Sequence, residues 1–397
     1  MKTIQAAAAK VDITPYLVTK TYLAGFAPNR LATGVAEPLC ARILYLEDEN
    51  GPLVWIATDL IGFLYGDIDD LRAKLPEIAP ERLFACATHT HSGPDTMGLW
   101  GPSVGPVPVK SGRDPEYLKW MVEQIATGVR RAQARKQPAV IGCGEDLSEK
   151  SEWVVNIRQK GYNDQALTVM RVDGLAGEPI ACLVNFACHP ETLWEKNTDI
   201  SPDFVHHLLR TVEEASGAVG IYISGALGGM VTSSLPDETP LAERRVFYRK
   251  MGKALGKIAA ATWKSISPEA VEKITHRYHC GLFPFDNKVL FFMKNLGILN
   301  REMTDDRIFT RIDYWKIGPA EFVSLPGEAL PAVGFKVKRL MHGKPNFLFC
   351  LGNDELGYLL DEQLWSDPKY HYEKTVSVGP AAVEQFYRLI AELVADQ

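Results

Sequence analysis

The sequence predicts an α/β fold with a mixed β-sheet core flanked by helices. Short apolar runs rich in β-branched residues alternate with longer amphipathic stretches, which is the pattern of α/β architecture. The 397 residues are 46% hydrophobic and 23% charged, so the chain can bury a large core. No linker-like, low-complexity or repeated segment interrupts it, and we therefore expect a single domain over residues 1–397.

Seven strands are predicted from short runs of apolar residues. Several of these runs are apolar throughout, which indicates burial on both faces of the sheet. The predicted strands cover residues 41–46, 53–58, 83–88, 140–144, 180–187, 220–224 and 347–351.

The clearest predicted helix begins after Asp114, an N-cap residue that is followed by proline in the first turn. Leu118, Val122, Ile125 and Val129 then recur at helical spacing. The other predicted helices cover residues 204–214, 241–263, 329–341 and 381–395.

The segment over residues 281–299, GLFPFDNKVLFFMKNLGIL, fits neither helix nor strand cleanly. It is apolar and aromatic but contains proline, glycine and asparagine. A lipid-accepting wall or lid is one interpretation, and an edge strand followed by a buried loop is the other.

Charge and cysteine content narrow the class of protein. The net charge of -6 argues against a nucleic-acid partner, and the basic stretch over residues 130–136 fits a solvated helix end. Seven cysteines form no CxxC pair and are odd in number, which indicates buried thiols in a reducing compartment. The alanine run near the N-terminus is too short for a signal peptide, and no apolar stretch reaches membrane-spanning length. We expect a soluble, cytoplasmic protein.

The segment ATHTHSGPDTMG, residues 87–98, carries the strongest chemical signal. It follows an apolar strand directly, and its His89 and His91 point to the same side of extended backbone because side chains alternate. Imidazole is a common zinc ligand, and two on one face can supply a ligand and a proton-transfer group. A structural pair of histidines that caps the strand fits this segment equally well.

A second apolar strand ends in His189, within NFACHPETL. Pro190 disfavours helical backbone at His189 and keeps that residue extended. Open α/β sheets bind ligands at the carboxyl edge of their strands, so two strands that end in histidine predict one shared site. Cys188 offers a nucleophilic thiol beside His189, although a small core residue is the commoner role.

Glu328 and Tyr358 come late in the chain, in SLPGEALPAV and GNDELGYLL. Glu328 falls at the predicted start of a helix, and Tyr358 falls just after a predicted strand. A glutamate at a helix N-terminus usually stabilises the helix dipole, and a tyrosine in such a place is usually core. Spacing alone selects neither residue as a ligand.

Seven segments occur in an order that resembles the catalytic domain of the neutral/alkaline ceramidases. The resemblance spans nearly the whole chain, and THTHSGP with a later HP is its most specific part. The segments are KVDITP (10–15), AGFAP (24–28), ATDLIGF (57–63), THTHSGP (88–94), NFACHP (185–190), SLPGE (324–328) and a late Gly-Asn…Tyr followed by Tyr372-Glu373.

This resemblance implies a zinc-dependent hydrolase with the ceramidase catalytic-domain fold. The residues that match the family's zinc ligands are His89, His189, Glu328 and Tyr358. Two imidazoles, a carboxylate and a phenolate form an acceptable Zn²⁺ shell that leaves a position for water.

The resemblance also implies three catalytic groups, which are His91, Arg158 and Tyr372. Bound zinc lowers the pKa of its water to about 7, so the implied reaction is attack of hydroxide on the acyl carbon of an amide (N-acyl) bond. Zinc, Arg158 or Tyr372 would stabilise the oxyanion, and His91 would pass a proton to the leaving amine. The implied partner is a small-molecule or lipid-like N-acyl substrate.

The chain departs from the family pattern in three places. The family's Gly-Asp-Val-Ser-Pro run is replaced here by SGALGGMVTSS, residues 224–234, with Met230 and Thr232 in place of aspartate and serine. Asp95 replaces the glycine that commonly follows THTHSGP and fits a more polar pocket. The chain also stops near where the family's C-terminal β-sandwich domain begins. Ceramide, a soluble amide, an ester and a sugar-derived compound therefore all remain open as substrates.

Other functions remain possible on sequence grounds. The same zinc site fits a hydrolase of esters or carbohydrate derivatives, while a non-catalytic small-molecule-binding relative would have no need of an open zinc position. A metal-free hydrolase that uses Ser224 lacks the GxSxG elbow. A dinucleotide site at GALGG lacks the GxGxxG pattern.

Overall fold

A computed structural model of the protein describes residues 3–105 and 107–395, and it confirms the predicted mixed sheet flanked by helices. The strands are β1 (Gln5–Asp12), β2 (Gly34–Val35), β3 (Cys40–Asp48), β4 (Gly51–Thr58), β5 (Leu83–Ala87), β6 (Ser103–Val104), β7 (Val107–Pro108), β8 (Gln137–Asp146), β9 (Val154–Asn156), β10 (Leu167–Gly174), β11 (Pro179–Phe186), β12 (Asp199–Ile200), β13 (Val219–Ser224), β14 (Val231–Ser233), β15 (Glu269–Ala270), β16 (Ile274–Pro284), β17 (Arg307–Ile317), β18 (Ala320–Ser324), β19 (Glu328–Ala329), β20 (Asn346–Phe349) and β21 (Tyr358–Leu359).

Helices connect and cover these strands. They are α1 (Tyr65–Lys74), α2 (Pro115–Gln133), α3 (Phe204–Ser216), α4 (Leu241–Ser265), α5 (Lys288–Asn295), α6 (Pro331–Leu340), α7 (Glu362–Trp365), α8 (His371–Thr375) and α9 (Pro380–Ala395). Short 3-10 helices occupy Val18–Lys20, Pro80–Arg82 and Pro368–Tyr370. No helix in the described parts of the chain combines the length and the apolar character needed to cross a bilayer.

Two sheets form the framework. The large sheet has the order β13-β11-β10-β8-β1-β3-β4-β5, with β15 beside β8, and only its β4–β5 and β11–β13 pairs are parallel. The small sheet has the order β16-β17-β18-β20 and is parallel only between β18 and β20. Helices α1 and α2 pack on the β1–β3–β4 side, α3 and α4 pack on the β10–β11–β13 side, and α6 and α9 pack on the small sheet.

An aromatic cluster joins the two sheets. Trp55 of β4 and Trp315 of β17 are 1% and 0% exposed, and their ring centroids lie 5.3 Å apart in an edge-to-face arrangement. Phe84 of β5 and Phe349 of β20 complete the contact around Trp315. Buried aromatic rings contribute large apolar areas, so this cluster ties the small sheet to the large one.

The seven predicted strands and five predicted helices are all present, with ends that differ by a few residues. One local prediction is wrong, because Glu328 does not begin a helix. It lies in β19, which pairs in parallel with β21, and α6 begins only at Pro331. Proline fixes the first turn of α6 and holds Leu330 before it in extended backbone, so the helix cannot extend back to Glu328.

The segment over residues 281–299 combines parts of both sequence interpretations. Its first residues complete β16, an edge strand of the small sheet, and the chain then forms α5 rather than a buried loop. The side chain of Asn287 caps α5 by accepting a hydrogen bond from the N–H of Leu290. Val289 and Phe292 on this helix are exposed.

Candidate active site

Two histidine-bearing segments meet where their strands end, as the sequence pattern predicts. His89 and His91 follow β5, and His189 follows β11. The N–H of His91 donates to the carbonyl of Pro190 at 3.1 Å, which ties the two segments together directly. Ring centroids of the three histidines lie 5.1 to 5.6 Å apart.

Backbone carbonyls orient two of these imidazoles. His89 Nδ1 lies 2.6 Å from the carbonyl oxygen of Ile61, and His189 Nδ1 lies 3.0 Å from that of Val231. A carbonyl oxygen only accepts, so each Nδ1 carries a proton, and Nε2 is the nitrogen of each ring that is left to bind a metal or a second proton. Metal-binding histidines are commonly fixed in this way.

The carboxylate of Glu328 lies against the imidazoles of His89 and His189. Its Oε2 lies 2.9 Å from His189 Nε2 and 3.4 Å from His89 Nε2, and all three side chains are buried. The Nε2 atoms of both imidazoles and a carboxylate oxygen therefore face one another, and a shared cation or proton makes that contact favourable. The donor set fits a divalent metal such as zinc.

The pKa values of the pair reflect the same need for positive charge. Burial opposes the charged form of His189, but Glu191, Glu328 and a hydrogen bond to Glu328 raise its pKa to about 9. Burial likewise opposes ionisation of Glu328, but the two histidines lower its pKa to about 2. A metal ion would compete with the proton for the same lone pairs, so any metal binding here would depend on pH.

His91 offers a third imidazole to the cluster. Nitrogen atoms of His89, His91 and His189 all lie within 4.8 Å of one another, so the three could hold a metal ion. Neither ring nitrogen of His91 has a hydrogen-bond partner in the described structure, although Nδ1 lies 3.2 Å from Glu191 Oε2. Burial and then the two neighbouring imidazoles hold the pKa of His91 well below its ordinary value, which favours its neutral form.

Tyr358 lies beside Glu328 because β19 and β21 pair residue to residue at this point. Its side chain is buried, and burial followed by the charge of Glu328 raises the pKa of its phenol well above the ordinary value. The ring of Tyr372 lies 6.0 Å from the ring of Tyr358 and is half exposed.

Arg158 approaches the site indirectly. Its Nε donates to Glu373 Oε1 at 2.6 Å, and Glu373 is the neighbour of Tyr372 in the chain. Tyr372 lines the cavity, whereas Arg158 is not among the described residues that line it. The arginine is therefore placed to hold the segment that carries Tyr372.

Two backbone positions explain how the imidazoles fit together. The prediction of extended backbone through His89 is wrong, because β5 ends at Ala87 and His89 has a φ of +73°, a conformation that is rare and strained for a residue with a side chain. Gly25 has a φ of +96°, and a Cβ atom there would lie 2.3 Å from His91 Cγ. Only glycine both adopts this backbone freely and leaves room for His91.

The glycine-rich segment supports the site rather than presenting a nucleophile. A Cβ atom at Gly228 would lie 2.3 Å from the carbonyl oxygen of Glu328, so these backbones approach closely. Met230 lines the cavity, and Val231 holds the imidazole of His189. The hydroxyl of Ser224 donates to the carbonyl of Thr88 at 2.9 Å, which leaves its proton engaged with the backbone.

Asp95 does not make the pocket more polar, and that expectation is wrong. Its carboxylate accepts hydrogen bonds from the backbone N–H groups of Met97, Gly98 and Trp100. A short aspartate side chain commonly closes a turn in this way, and all three of these hydrogen bonds are made to the backbone of its own loop.

His89, His91 and Glu328 line a cavity of about 300 Å³. Its walls are mainly apolar, and α5 with its flanking residues contributes Phe285, Leu290 and Leu299. The other apolar lining residues are Phe26, Ile61, Met97, Leu99, Trp100, Trp194, Met230, Met303, Ile308, Leu356 and Val376. A cavity with mainly apolar walls is suited to a largely apolar ligand.

Two buried glutamates in the cavity lining are absent from the sequence prediction. Glu191 follows His189 by two residues and lies against His91, and Glu355 precedes Tyr358 by three residues. Each has one carboxylate oxygen with no hydrogen-bond partner in the described structure. Burial, followed by the charge of Glu328, raises the pKa of Glu355 well above its ordinary value. The one sequence signal for them was their place beside matched motifs.

Comparison with solved structures identifies the fold. The crystal structure of neutral ceramidase from Pseudomonas aeruginosa superposes with a TM-score of 0.79 at 18% identity, over 99% of this chain and 74% of that one. The chain has the fold of neutral ceramidase. A solved structure of a ceramidase complexed with C2 gives the same TM-score at 17% identity, over 99% of this chain and 75% of that chain. No family model and no curated protein matched the sequence. The likeness confirms the fold implied by the ceramidase resemblance, and both solved chains are longer.

Proposed function

We propose that this protein is a metal-dependent hydrolase that cleaves an amide (N-acyl) bond. The observation that supports this most directly is the convergence of His89 Nε2, His189 Nε2 and Glu328 Oε2, where His89 and Glu328 line an apolar cavity. The ceramidase fold supports the same reaction class. We propose zinc as the metal, because two neutral imidazoles and a carboxylate are a donor set that zinc prefers.

The proposed ligands are His89, His189, Glu328 and Tyr358. When bound, the metal supplies a Lewis acid and a water of lowered pKa. The carbonyls of Ile61 and Val231 keep both imidazoles in the tautomer that binds metal.

The remaining groups act on the substrate. The lowered pKa of His91 favours its neutral form, and its ring nitrogens make no hydrogen bond within the described structure, so the imidazole can take a proton and pass it to the leaving amine. Tyr372 lies in the cavity wall near Tyr358 and can donate to the developing oxyanion, while Arg158 holds its segment through Glu373. The apolar walls exclude water and accept the acyl chain.

We also propose that the protein acts in a reducing compartment such as the cytoplasm. All seven cysteines are free thiols, and five of them are buried. Thiols left unpaired in this way are typical of proteins that are not exposed to oxidising conditions.

The test is metal content together with hydrolysis of a panel of N-acyl substrates. We expect about one zinc per chain in the wild type, and loss of both metal and hydrolysis in His89→Ala and in Glu328→Ala. His342→Ala is the matched control, because His342 is an exposed histidine away from the site.

Three results would contradict the proposal in different ways. A folded wild type that binds no divalent metal would exclude the metal mechanism. Metal binding with cleavage of esters or sugar derivatives alone would move the reaction to that substrate class. Metal binding without cleavage of any substrate would favour a binding protein.

A further inference from the structure

Strand β16 forms an open edge of the small sheet. Within the described residues it pairs only with β17. In an antiparallel pair, alternate residues direct both backbone groups at the partner strand, and the residues between them direct theirs away. The N–H of Ile274 donates to Asp48 Oδ2 at 3.0 Å, so Ile274 belongs to the outward set. The other outward residues on this strand are His276, Tyr278, Cys280 and Leu282.

The outward backbone groups of β16 are free to bind a ligand. From His276 to Leu282 they make no hydrogen bond among the described residues. Solvent reaches this edge, because Tyr278 is 44% exposed and Leu282 is 52% exposed. A strand edge with unpaired N–H and C=O groups is a template for a further strand, and many proteins bind extended peptides in this way.

A groove of about 830 Å³ runs along the first part of this edge. Six consecutive residues, 273–278, line it together with Asn50, from the turn before β4, and with Glu81 and Arg82, from the segment before β5. Arg82 precedes β5 whereas His89 follows it, so the groove lies at the opposite end of β5 from the candidate active site.

The groove is basic, although the chain as a whole has a net charge of -6. Its described lining includes four cationic side chains, those of Arg82, Lys273, Arg277 and Lys316, and one acidic side chain, that of Glu81. A concentration of positive charge in a concave surface attracts acidic partners.

These cations are only partly neutralised by the protein. Arg82 pairs with Asp48 at 2.9 Å, but Lys316 Nζ lies 3.9 Å from its nearest carboxylate oxygen, on Glu321. Lys273 is exposed and forms no ion pair among the described residues.

Arg277 likewise leaves charge available in the groove. Its Nη1 donates to the backbone carbonyl of Leu393 at 2.7 Å, and its guanidinium lies 5.8 Å from the centre of the Tyr314 ring. Neither contact supplies a negative charge. An acidic ligand would therefore find cations in the groove that the protein has not paired with carboxylates.

Arg277 and Lys316 lie on the same face of the small sheet. In the β16–β17 ladder Arg277 pairs with Tyr314, and Lys316 pairs with Thr275, two residues before Arg277. Side chains two residues apart on a strand share a face. A strand added beside β16 would place every second side chain on this face, so acidic residues at alternate positions would meet both cations. The residues between them would lie on the face of Tyr278, whose exposed ring suits apolar side chains.

We propose that the edge of β16 binds an extended acidic segment of a partner protein as an added strand. Hydrogen bonds to the outward backbone groups hold the segment, and the cations of the groove select acidic side chains. A second copy of this chain is disfavoured, because two such edges would bring like charges together. This inference does not depend on the proposed hydrolysis.

Fluorescence anisotropy of labelled peptides tests this binding on the full chain. The peptide Ac-GEVEVEVG-NH2 alternates acidic and apolar residues, and Ac-GKVKVKVG-NH2 reverses its charge. We expect saturable binding of the acidic peptide, about tenfold or more tighter than that of the basic one at low salt. A fully N-methylated acidic peptide, which keeps the charges but cannot donate backbone hydrogen bonds, should lose this binding.

A proline substitution tests the backbone contact from the protein side. Tyr278→Pro removes one outward N–H, and it leaves the ladder to β17 in place because that N–H points away from β17. We expect it to weaken binding about tenfold or more. Tyr278→Val is the control, because it also removes the ring but keeps the N–H, and it should remain within about threefold of the wild type. If Tyr278→Pro does not fold, the N-methylated peptide decides this point.

A double substitution tests the charges. Lys273→Gln with Lys316→Gln should weaken binding of the acidic peptide about tenfold at low salt. Lys253→Gln with Lys257→Gln is the matched control, because it removes the same charge from exposed positions on α4. Equal effects of the two double variants would show attraction by net charge alone and would overturn the inference.

Two further results would also overturn it. The first is the absence of binding to the wild type, or equal binding of the acidic, basic and N-methylated peptides. The second is a dimer of the free wild type, measured by light scattering, that Tyr278→Pro converts to a monomer, because the edge would then belong to a second copy of the chain.

Discussion

At the scale of single residues, backbone atoms rather than side chains hold the imidazoles. His89 and His189 each donate a hydrogen bond to a backbone carbonyl. His91 is placed by the hydrogen bond from its own N–H to the carbonyl of Pro190, and its ring occupies the space that a side chain at Gly25 would fill. Carbonyls have fixed positions, so the geometry of the cluster is built into the loops that follow β5 and β11.

Gly25→Ala tests this placement. The added methyl group overlaps His91, and a displacement of about 1 Å should lower kcat by about 100-fold. Gly51→Ala is the matched control, because Gly51 has the same φ of +96° but nothing within 4 Å of the added Cβ. Equal loss of activity in both variants would show that backbone strain, and not His91, is responsible; steady-state kinetics and circular dichroism measure both effects.

His91→Gln distinguishes the two possible sets of metal ligands. If His91 transfers protons, the variant should keep about one metal per chain and lose kcat by about 100-fold or more. If the three histidines hold the metal, the variant should instead lose the metal while Glu328→Gln keeps it. Elemental analysis of the two variants beside the wild type decides between these outcomes.

At the scale of elements, α5 forms one wall of the cavity with one side and faces solvent with the other. Leu290 lines the cavity, whereas Phe292, two residues later, is 58% exposed. The helix therefore sets the width of the cavity without contributing to the metal site.

Leu290→Trp should shorten the acyl chain that the cavity accepts. The larger ring removes space from the wall, so kcat/KM should fall at least tenfold for a long acyl chain and change little for acetyl. Phe292→Trp, on the exposed side of the same helix, should leave this chain-length profile unchanged. A profile that is the same in wild type and Leu290→Trp would exclude α5 as the acyl wall.

The sequence predicts the apolar strands well but not those whose burial depends on distant partners. Strand β1 is rich in alanine, a weak strand former, yet it pairs with β3 over its whole length. Strand β17 carries Arg311 and Asp313, which a sequence pattern assigns to a surface. In the structure both side chains are buried, and Arg311 Nε donates a hydrogen bond to Asp313 Oδ1 at 3.0 Å.

The residues of the candidate site likewise divide into those that the local sequence predicts and those that depend on distant segments. The three histidines could be selected from residue type and strand position, whereas Glu328 and Tyr358 were selected only through the ceramidase resemblance. The two residues meet through the β19–β21 pair, which is too short to leave a periodic pattern. Glu191 and Glu355 were missed because their importance depends on a cavity that distant segments form.

At the scale of the whole molecule, a buried polar cluster connects the start of β3 to the helical layer. Glu37 accepts hydrogen bonds from Ser201 and from Tyr248 of α4, both at 2.6 Å, and it lies 3.5 Å from His207 of α3. A buried hydrogen-bonded network of this kind fixes the relative positions of segments that are far apart in sequence. We also expect residues 1–397 to unfold as the single domain predicted from the sequence.

Stability should fall in acid partly through Glu37. Burial alone would raise its pKa, but the contact with His207 and the hydrogen bonds from Ser201 and Tyr248 lower it from 4.5 to about 2. The folded state therefore prefers the ionised form, so this stabilisation is complete above about pH 4.5 and is lost as the pH falls towards 2. Urea unfolding of wild type and Glu37→Gln should show a free-energy difference that is largest above pH 5 and shrinks across this window. If the difference in free energy of unfolding does not change with pH, ionisation of Glu37 is not its origin.

The edge-to-face contact between Trp55 and Trp315 makes the junction between the two sheets optically visible. Two indole rings 5.3 Å apart in an asymmetric, water-free setting should couple their electronic transitions and give a near-ultraviolet circular dichroism signal. That signal depends on the sheets remaining in contact, whereas the far-ultraviolet signal depends on the helices and strands themselves. If the sheets separate before they unfold, the first signal will disappear while the second persists.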